Sequence, residues 1–422
     1  MPTTVENERL TRVGPGTPMG ELLRRYWHPV AASAQLQGPG TRLVKLLGET
    51  LVLYRDQQDR LGLVGAHCAH RSAGLLYGVP EQEGLRCSYH GWMYDSSGQC
   101  IAQPFEQTVD PSSTYHERIR IPAYPVQELG GVIFAYLGPS PAPLLPRWDM
   151  FLDDEVAKDV GIGIIPCNWL QVMENSADPQ HSEWLHTHLD NYVAERVGHP
   201  EWVRRQLVHV DVGFDRSEYG ITKRRQRGGV TKEHEMWALG HPLVFPLGEK
   251  AGNTTHTIFF MRVPVDDTHT MEFSYCTYGD VPKRHEAPPV FEVPCPRLEV
   301  NGEPPYEDMS AIVAQDILMW YSQGPLTNRS VEHLGRGDRG VLLYRQMLEE
   351  NLARVQRGED PFNVFRDVEL NDCLEIAVEQ DKALRGAWRP GTRRAGVTKY
   401  SVILGEFEQE MLSNLTPQPP SL

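Results

Sequence analysis

Residues 68–90, CAHRSAGLLYGVPEQEGLRCSYH, hold two cysteine–histidine pairs, Cys68 with His70 and Cys87 with His90. Each arm offers one thiolate and one imidazole, so the two together can hold a metal centre. One reading is a tetrahedral structural zinc with two sulfur and two nitrogen ligands. Another is a two-iron, two-sulfide cluster with both cysteines on one iron and both histidines on the other. Zinc fingers usually open with two closely spaced cysteines and place both histidines late. A mixed arm suits a cluster that divides its ligands by iron. Gly74, Gly84 and Gly91 let loop backbone come close and present N–H groups to sulfur. His67 falls outside the pattern and reads as a packing or surface histidine.

A second set lies in ENSADPQHSEWLHTH, residues 174–188, where Asp178, His181 and His186 follow a D-x-x-H-x-x-x-x-H spacing. Two imidazoles and a carboxylate with positions left open are the ligand set of a mononuclear non-haem Fe(II) oxygenase. The plain alternative is a helix start, with Asp178 as N-cap and Pro179 in the first turn. Five residues separate the two histidines, about 140° on a regular helix, so they do not share a face. A helix irregularity is needed to bring the rings together, and such irregularities favour functional sites.

The elements that must carry these groups are many. At 422 residues the chain exceeds one small core. Its net charge of -15 excludes a general nucleic-acid binder. The densest basic run, Lys223 to Arg227, reads as a solvated strand or turn. Cys100, Cys167, Cys276, Cys295 and Cys373 lack ligand-spaced partners and read as small buried apolar residues. No apolar run approaches membrane-spanning length, and the polar start MPTTVENERL is unlike a secretory signal, which predicts a cytoplasmic protein.

Residues 40 to 140 read as all-β, with a hairpin in LVKLLGETLVLYRD turning at Gly48-Glu49 and a strand in GVIFAYLG. GPSPAPLLPRW, 138–148, is a Pro-rich connector. Residues 168–189 have helical spacing, 207–278 alternate as strands, and 308–324 and 340–356 return to helix; TPQPPSL reads as a frayed tail. The order predicts an α+β protein.

CAHR followed by CSYHGWMYDSSGQC resembles the Rieske iron–sulfur motif. NWLQVMENSADPQHSEWLH is similar to the catalytic-iron segment of Rieske non-haem iron aromatic ring-hydroxylating oxygenase α subunits. VAQDILMWYSQGPLTNRS and the opening TRVGPGTPMGELLRRYWHPVA resemble the phthalate-dioxygenase-like branch. The resemblance implies a [2Fe-2S] cluster on Cys68, His70, Cys87 and His90, and a mononuclear Fe(II) on His181, His186 and a later carboxylate. Asp316 matches that carboxylate; Asp381, with Glu375 nearby, is the rival. Asn175 matches an asparagine close to the iron. His188, two residues past the ligand pair, reads as a nearby non-ligand, with a third imidazole as the alternative. Asp178 matches the aspartate that hydrogen-bonds a cluster histidine, here His90, of the neighbouring subunit.

The same likeness implies an all-β Rieske domain at 40–142 and a catalytic domain at 1–39 and 143–422, with a long antiparallel sheet flanked by helices in a helix-grip-like arrangement. It implies a homotrimer or hexamer, O2 as co-substrate, and a separate NADH-dependent reductase. The substrate would be an aromatic compound, hydroxylated, dihydroxylated or O-demethylated, with neither nucleic acid nor membrane as partner. Lys223, Arg225 and Arg262 are candidates to meet a substrate carboxylate. The alternative is a Rieske electron-transfer protein with a non-catalytic docking domain.

Overall fold

A computed structural model describes residues 3–252, 256–378 and 396–415. Asp381 and the terminal TPQPPSL lie outside the described residues.

The N-terminal third is built from short antiparallel strands. Gly40–Leu46 and Glu49–Arg55 form the expected hairpin, joined by Leu47 and Gly48, both at positive φ. The turn therefore sits one residue earlier than the sequence suggested, and two positive φ values suit the right-handed twist of the flanking strands. Leu61–Gly65 and Ala123–Tyr124 extend this sheet. In a second sheet of two- and three-residue strands, from Val79–Pro80 to Cys100–Ala102, the Cys87 loop joins Leu85–Arg86 to Met93–Tyr94, while the Cys68 loop runs from Leu61–Gly65 of the first sheet to Val79–Pro80 of the second. A third pairs Trp27–Ala32 with Val132–Tyr136, and Val132–Tyr136 with Val126–Leu129.

The rest of the chain is organised around an eight-stranded sheet. Its order is His209–Ser217, Gly220–Arg227, His241–Val244, Gly248–Gly252, Thr257–Asp266, His269–Pro282, Val156–Ile165 and Val290–Glu292. Every neighbouring pair is antiparallel except the last, where Val290–Glu292 runs parallel to Val156–Ile165. The fold is thus α+β with a mixed large sheet.

Strand alternation sends successive side chains to opposite faces. Phe259, Met261 and Val263 join the large core with Phe273, Tyr275 and Trp148. On the other face, Ile258 and Cys276 pack against Val313, Ala314, Ile317 and Trp320 of the helix Ile312–Ser322. That contact matters most, because this helix also carries Asp316. Burying each of these large aliphatic side chains contributes about 1.5–3 kcal/mol. Arg339–Gln356 belongs to the large core instead, where it buries Val341, Tyr344, Met347 and Leu348.

Of the cysteines expected inside, Cys100, Cys167 and Cys276 are buried, whereas Cys295 and Cys373 are exposed. Both lie outside helices and strands, so no packed face encloses them.

Candidate metal centres and active site

The two cysteine–histidine arms are matched loops. Cys68 accepts from the Ser72 N–H and donates its own N–H to Ala73 O; Cys87 accepts from Gly91 N–H and donates to Trp92 O. Ser72 and Gly91, at equivalent places, both have positive φ, 56° and 77°. Gly84 does something else: a Cβ there would collide with the carbonyl of Tyr94, so its role is close strand packing. Cys68 and Cys87 are each 2% exposed, while His70 and His90 reach the surface. The rings of His70 and His90 lie 4.6 Å apart, with Trp92 stacked on His70 at 4.5 Å and Tyr89 tilted against His90 at 3.8 Å. The sulfur end is thereby shielded and the imidazole end open to a docking partner.

The sequence did not single out Tyr94. Its oxygen accepts the Ala69 N–H at 3.1 Å and lies 3.2 Å from Cys68 Sγ. A cysteine that binds iron is a thiolate with no proton to give, so in the cluster-bound protein the hydroxyl would be the donor. The signal was present in HGWMYD, but a strand tyrosine looks like any core residue.

The segment expected to be one helix is broken, and the breaks make the second site. The helix Trp169–Ser176 ends; Asp178 then caps the next turn, accepting from the N–H groups of Gln180 (2.8 Å) and His181 (3.2 Å). After the turn His181–Glu183 the chain winds as a π-helix, Trp184–Leu189. Its i→i+5 repeat brings residues five apart onto one face. The rings of His181 and His186 meet at 5.0 Å and 88°. Thr187 and Leu185 are buried, whereas His188 is exposed against Trp184.

Asp316 completes the group. Its Oδ1 lies 3.2 Å from His186 Nε2 and 3.9 Å from His181 Nε2, and the three ligand atoms are all within 4.8 Å of one another. Burial would raise the Asp316 pKa, but His186, His181 and Arg262 outweigh it and lower it. His186 is pushed up in turn: burial opposes charge, and the Asp316 carboxylate wins. Asp316 Oδ1 is buried without a hydrogen-bond partner. Converging lone pairs from two imidazoles and an ionised carboxylate, one buried and orphaned, fit a divalent cation that takes nitrogen and oxygen ligands, as Fe(II) does.

Each histidine has its own support. His186 Nδ1 lies 3.1 Å from Gln315 Oε1, while Gln315 Nε2 donates to Asp190 Oδ1 (2.9 Å) and Met309 O (3.0 Å). Two acceptors fix the amide NH2, so its oxygen faces the imidazole and Nδ1 carries the proton. His181 Nδ1 lies 3.5 Å from Asp178 Oδ2. Burial raises the Asp178 pKa, but the hydrogen bond and charge of His181 bring it below the usual carboxylate range. Asn175 sits on the last turn before this break, its carbonyl accepting from Asp178 N–H.

The basic run is not solvated. Lys223 and Arg225 point into the protein, 5% and 8% exposed, and Arg262 is 4% exposed. Register decides it: Ile221, Lys223 and Arg225 share a face with His241 and Leu243, and that face is the covered one. Glu249 is the hub, 2.9 Å from Lys223 Nζ, 2.8 Å from His241 Nε2 and accepting from Ser176 Oγ at 2.7 Å. Arg262 pairs with Glu272 and stacks over Trp320 at 5.1 Å. Burial lowers the Arg262 pKa to about 10 despite Glu249 and Asp316. An aromatic cleft lined by Tyr26, Trp27, Trp148, Phe245, Phe259 and Phe365 opens on the other face of the sheet, away from the ligand atoms.

Known proteins share both halves of this arrangement. A family model described as the Rieske [2Fe-2S] domain matches residues 26–125, and one described as "LigXa C-terminal domain like" matches 300–371. The 5,5'-dehydrodivanillate O-demethylase oxygenase subunit of Sphingobium sp. (strain SYK-6) is 38% identical over 96% of this chain and 93% of its own length. The phthalate 4,5-dioxygenase oxygenase subunit of Pseudomonas putida is 31% identical over 85% and 88%. The solved structure of NdmA from Pseudomonas putida CBB5 has the same fold, with TM-score 0.59 and 22% identity over 87% of this chain and 99% of that one.

Proposed function

The chain belongs to the Rieske non-haem iron oxygenases, and we propose that within this family it is the terminal oxygenase that removes O-methyl groups from a carboxylated methoxy-aromatic compound. The observation that carries the reading is the convergence of His181, His186 and Asp316 beside a buried face that carries Lys223, Arg225 and Arg262. Ammonium and guanidinium groups held away from water suit a substrate carboxylate. A relative that matches over nearly the whole chain is an O-demethylase subunit, which supports demethylation over ring dihydroxylation.

The assignments are these. Cys68, His70, Cys87 and His90 hold a [2Fe-2S] cluster; His181, His186 and Asp316 hold Fe(II). Together these groups supply one-electron transfer and O2 chemistry. In overall balance, an aryl methyl ether, O2, two electrons and two protons give a phenol, formaldehyde and water. The chain's own residues do the rest. The π-turn and Gln315 orient the imidazoles, and the cationic face holds the substrate. The helix Ile312–Ser322, packed by Trp320 and Ile317, excludes water from behind Asp316. Asn175 stands beside the metal position.

Asp178 joins His181 to His90 of a neighbouring copy, which requires a ring such as a trimer or a stacked pair of trimers. Electrons come from a separate NADH-dependent reductase. The division into a Rieske domain at 40–142 and a catalytic remainder belongs to the same reading, as does a cytoplasmic location. No helix among the described residues is long and apolar enough to cross a membrane.

The test is a product screen with purified protein, a compatible reductase, NADH, and a panel of phthalates, benzoates and methoxybenzoates. Formaldehyde release matched to phenol formation, with about three irons per chain, is expected. Two irons per chain and no product would leave only an electron carrier.

A further inference from the structure

The charged groups of the catalytic face close into a ring that returns to the metal-binding segment. From Asp316 it runs to Arg262, then to Glu249 with Lys223 and His241, along the strand to Arg225 and Arg227, and from Arg227 across to His209, its partner in register. His209 Nδ1 lies 3.1 Å from Glu183 Oε2, and Glu183 stands between His181 and His186 in the chain. The backbone N–H of His209 donates to the same carboxylate oxygen at 2.7 Å. The His209 side chain is 3% exposed. Its Nε2 is buried and has no hydrogen-bond partner among the described residues. A native structure rarely leaves such an atom without a purpose.

The chemistry of that nitrogen narrows what could meet it. Burial, then the charges of Arg225 and Arg227, lower the His209 pKa, so the ring is neutral. The Glu183 carboxylate can only accept, which puts the one ring proton on Nδ1 and leaves Nε2 an acceptor. A carboxylate cannot donate to it, and an ammonium group would be repelled by Arg225 and Arg227. A methyl ether has no proton to give. A hydroxyl meets the requirement, because it can donate to Nε2 and carries no positive charge.

We propose that His209 Nε2 accepts a hydrogen bond from a phenolic hydroxyl of the substrate, making His209 a specificity-determining residue that selects methoxylated phenols over their fully methylated ethers. This rests on the demethylase reading above. A buried acceptor left unpaired by the wrong substrate lowers its relative kcat/KM by roughly 10- to 100-fold.

The test compares vanillate, a phenol, with veratrate, its phenolic methyl ether, by formaldehyde release and by calorimetric binding to the metal-loaded protein. The wild type is expected to prefer vanillate by that factor in both, and His209→Phe to collapse the ratio while keeping the cluster's visible absorbance. Glu183→Leu is the second variant. A glutamine oxygen would still accept from the His209 backbone N–H and Nδ1 and so keep the tautomer, whereas leucine removes the acceptor and frees the ring proton to move to Nε2, so the preference should shrink or vanish. Absence of any preference in the wild type, or its persistence in both variants, overturns the proposal. Binding preference without formaldehyde release leaves the proposal standing and overturns the demethylase reading; turnover without preference does the opposite.

Discussion

The imidazole Nδ1 of His186 lies 3.1 Å from the amide oxygen of Gln315, the residue immediately before Asp316. One helix thus supplies a ligand carboxylate and, from the next position, the group that orients a ligand histidine. The amide is itself pinned by Asp190, which also accepts from Arg204 at 2.7 Å. Gln315→Leu keeps the helix but frees the ring and its tautomer. Fe(II) affinity should fall roughly 10- to 100-fold. Chelator competition would show it, with the cluster's visible spectrum unchanged; an unaltered competition midpoint would remove Gln315 from the site.

Asp178 has two jobs that can be separated. Its backbone-capping bonds to Gln180 and His181 need only an acceptor oxygen, which an asparagine retains in part. Its charge toward His181, and toward His90 of a neighbouring copy, is lost in Asp178→Asn. Both metals should remain bound while single-turnover electron transfer slows roughly 10-fold or more. Normal turnover with intact coupling would show that the bridge assignment is wrong.

Much of this was legible in the residues. The ligand arms announce themselves because metal chemistry fixes residue types and close spacing, and the α+β order follows from hydrophobic period. The π-turn at Trp184–Leu189 was not legible, since a pattern is judged against a regular helix; only the misfit of His181 and His186 hinted at it. Lys223 and Arg225 were misread as solvated because alternation gives two faces and register alone chooses between them. His209 gave no signal, because its partner Glu183 is 26 positions away.

The Tyr94 oxygen lies 3.2 Å from Cys68 Sγ, and toward a cluster-binding thiolate it can only donate. That bond stabilises the more negative, reduced form of a cluster held there. If its differential strength is about 1 kcal/mol, Tyr94→Phe should lower the reduction potential by roughly 40 mV for a one-electron couple. Potentiometric titration followed by visible absorbance measures it directly. A potential that stays put or rises would mean that the hydroxyl proton points elsewhere.

Glu174 locks the helix that leads into the iron segment. It accepts from Arg329 Nε (3.0 Å) and Nη2 (2.7 Å) and from Arg345 Nε (2.6 Å), and Arg329 reaches Asn7 at 3.2 Å. Burial would raise its pKa, but the charges and hydrogen bonds of Arg329 and Arg345 prevail and lower it from 4.5. Glu249 is held well below 4.5 for the same reason, with Lys223, His241 and Arg262 outweighing burial. A depressed carboxylate contributes stability that is fully present above the unfolded pKa and is lost as pH falls through the folded one. The acid limb of unfolding should therefore begin as pH drops below about 4.5. Glu174→Gln leaves the buried Arg329 guanidinium without a carboxylate partner, while Arg345 keeps Glu332, and should cost about 3–5 kcal/mol near neutral pH. Because the wild-type carboxylate is neutralised in acid, the gap between the two proteins should narrow below pH 4.5. Urea midpoints measured across that window decide it: a gap that stays constant would mean that Glu174 stabilises by shape rather than by charge.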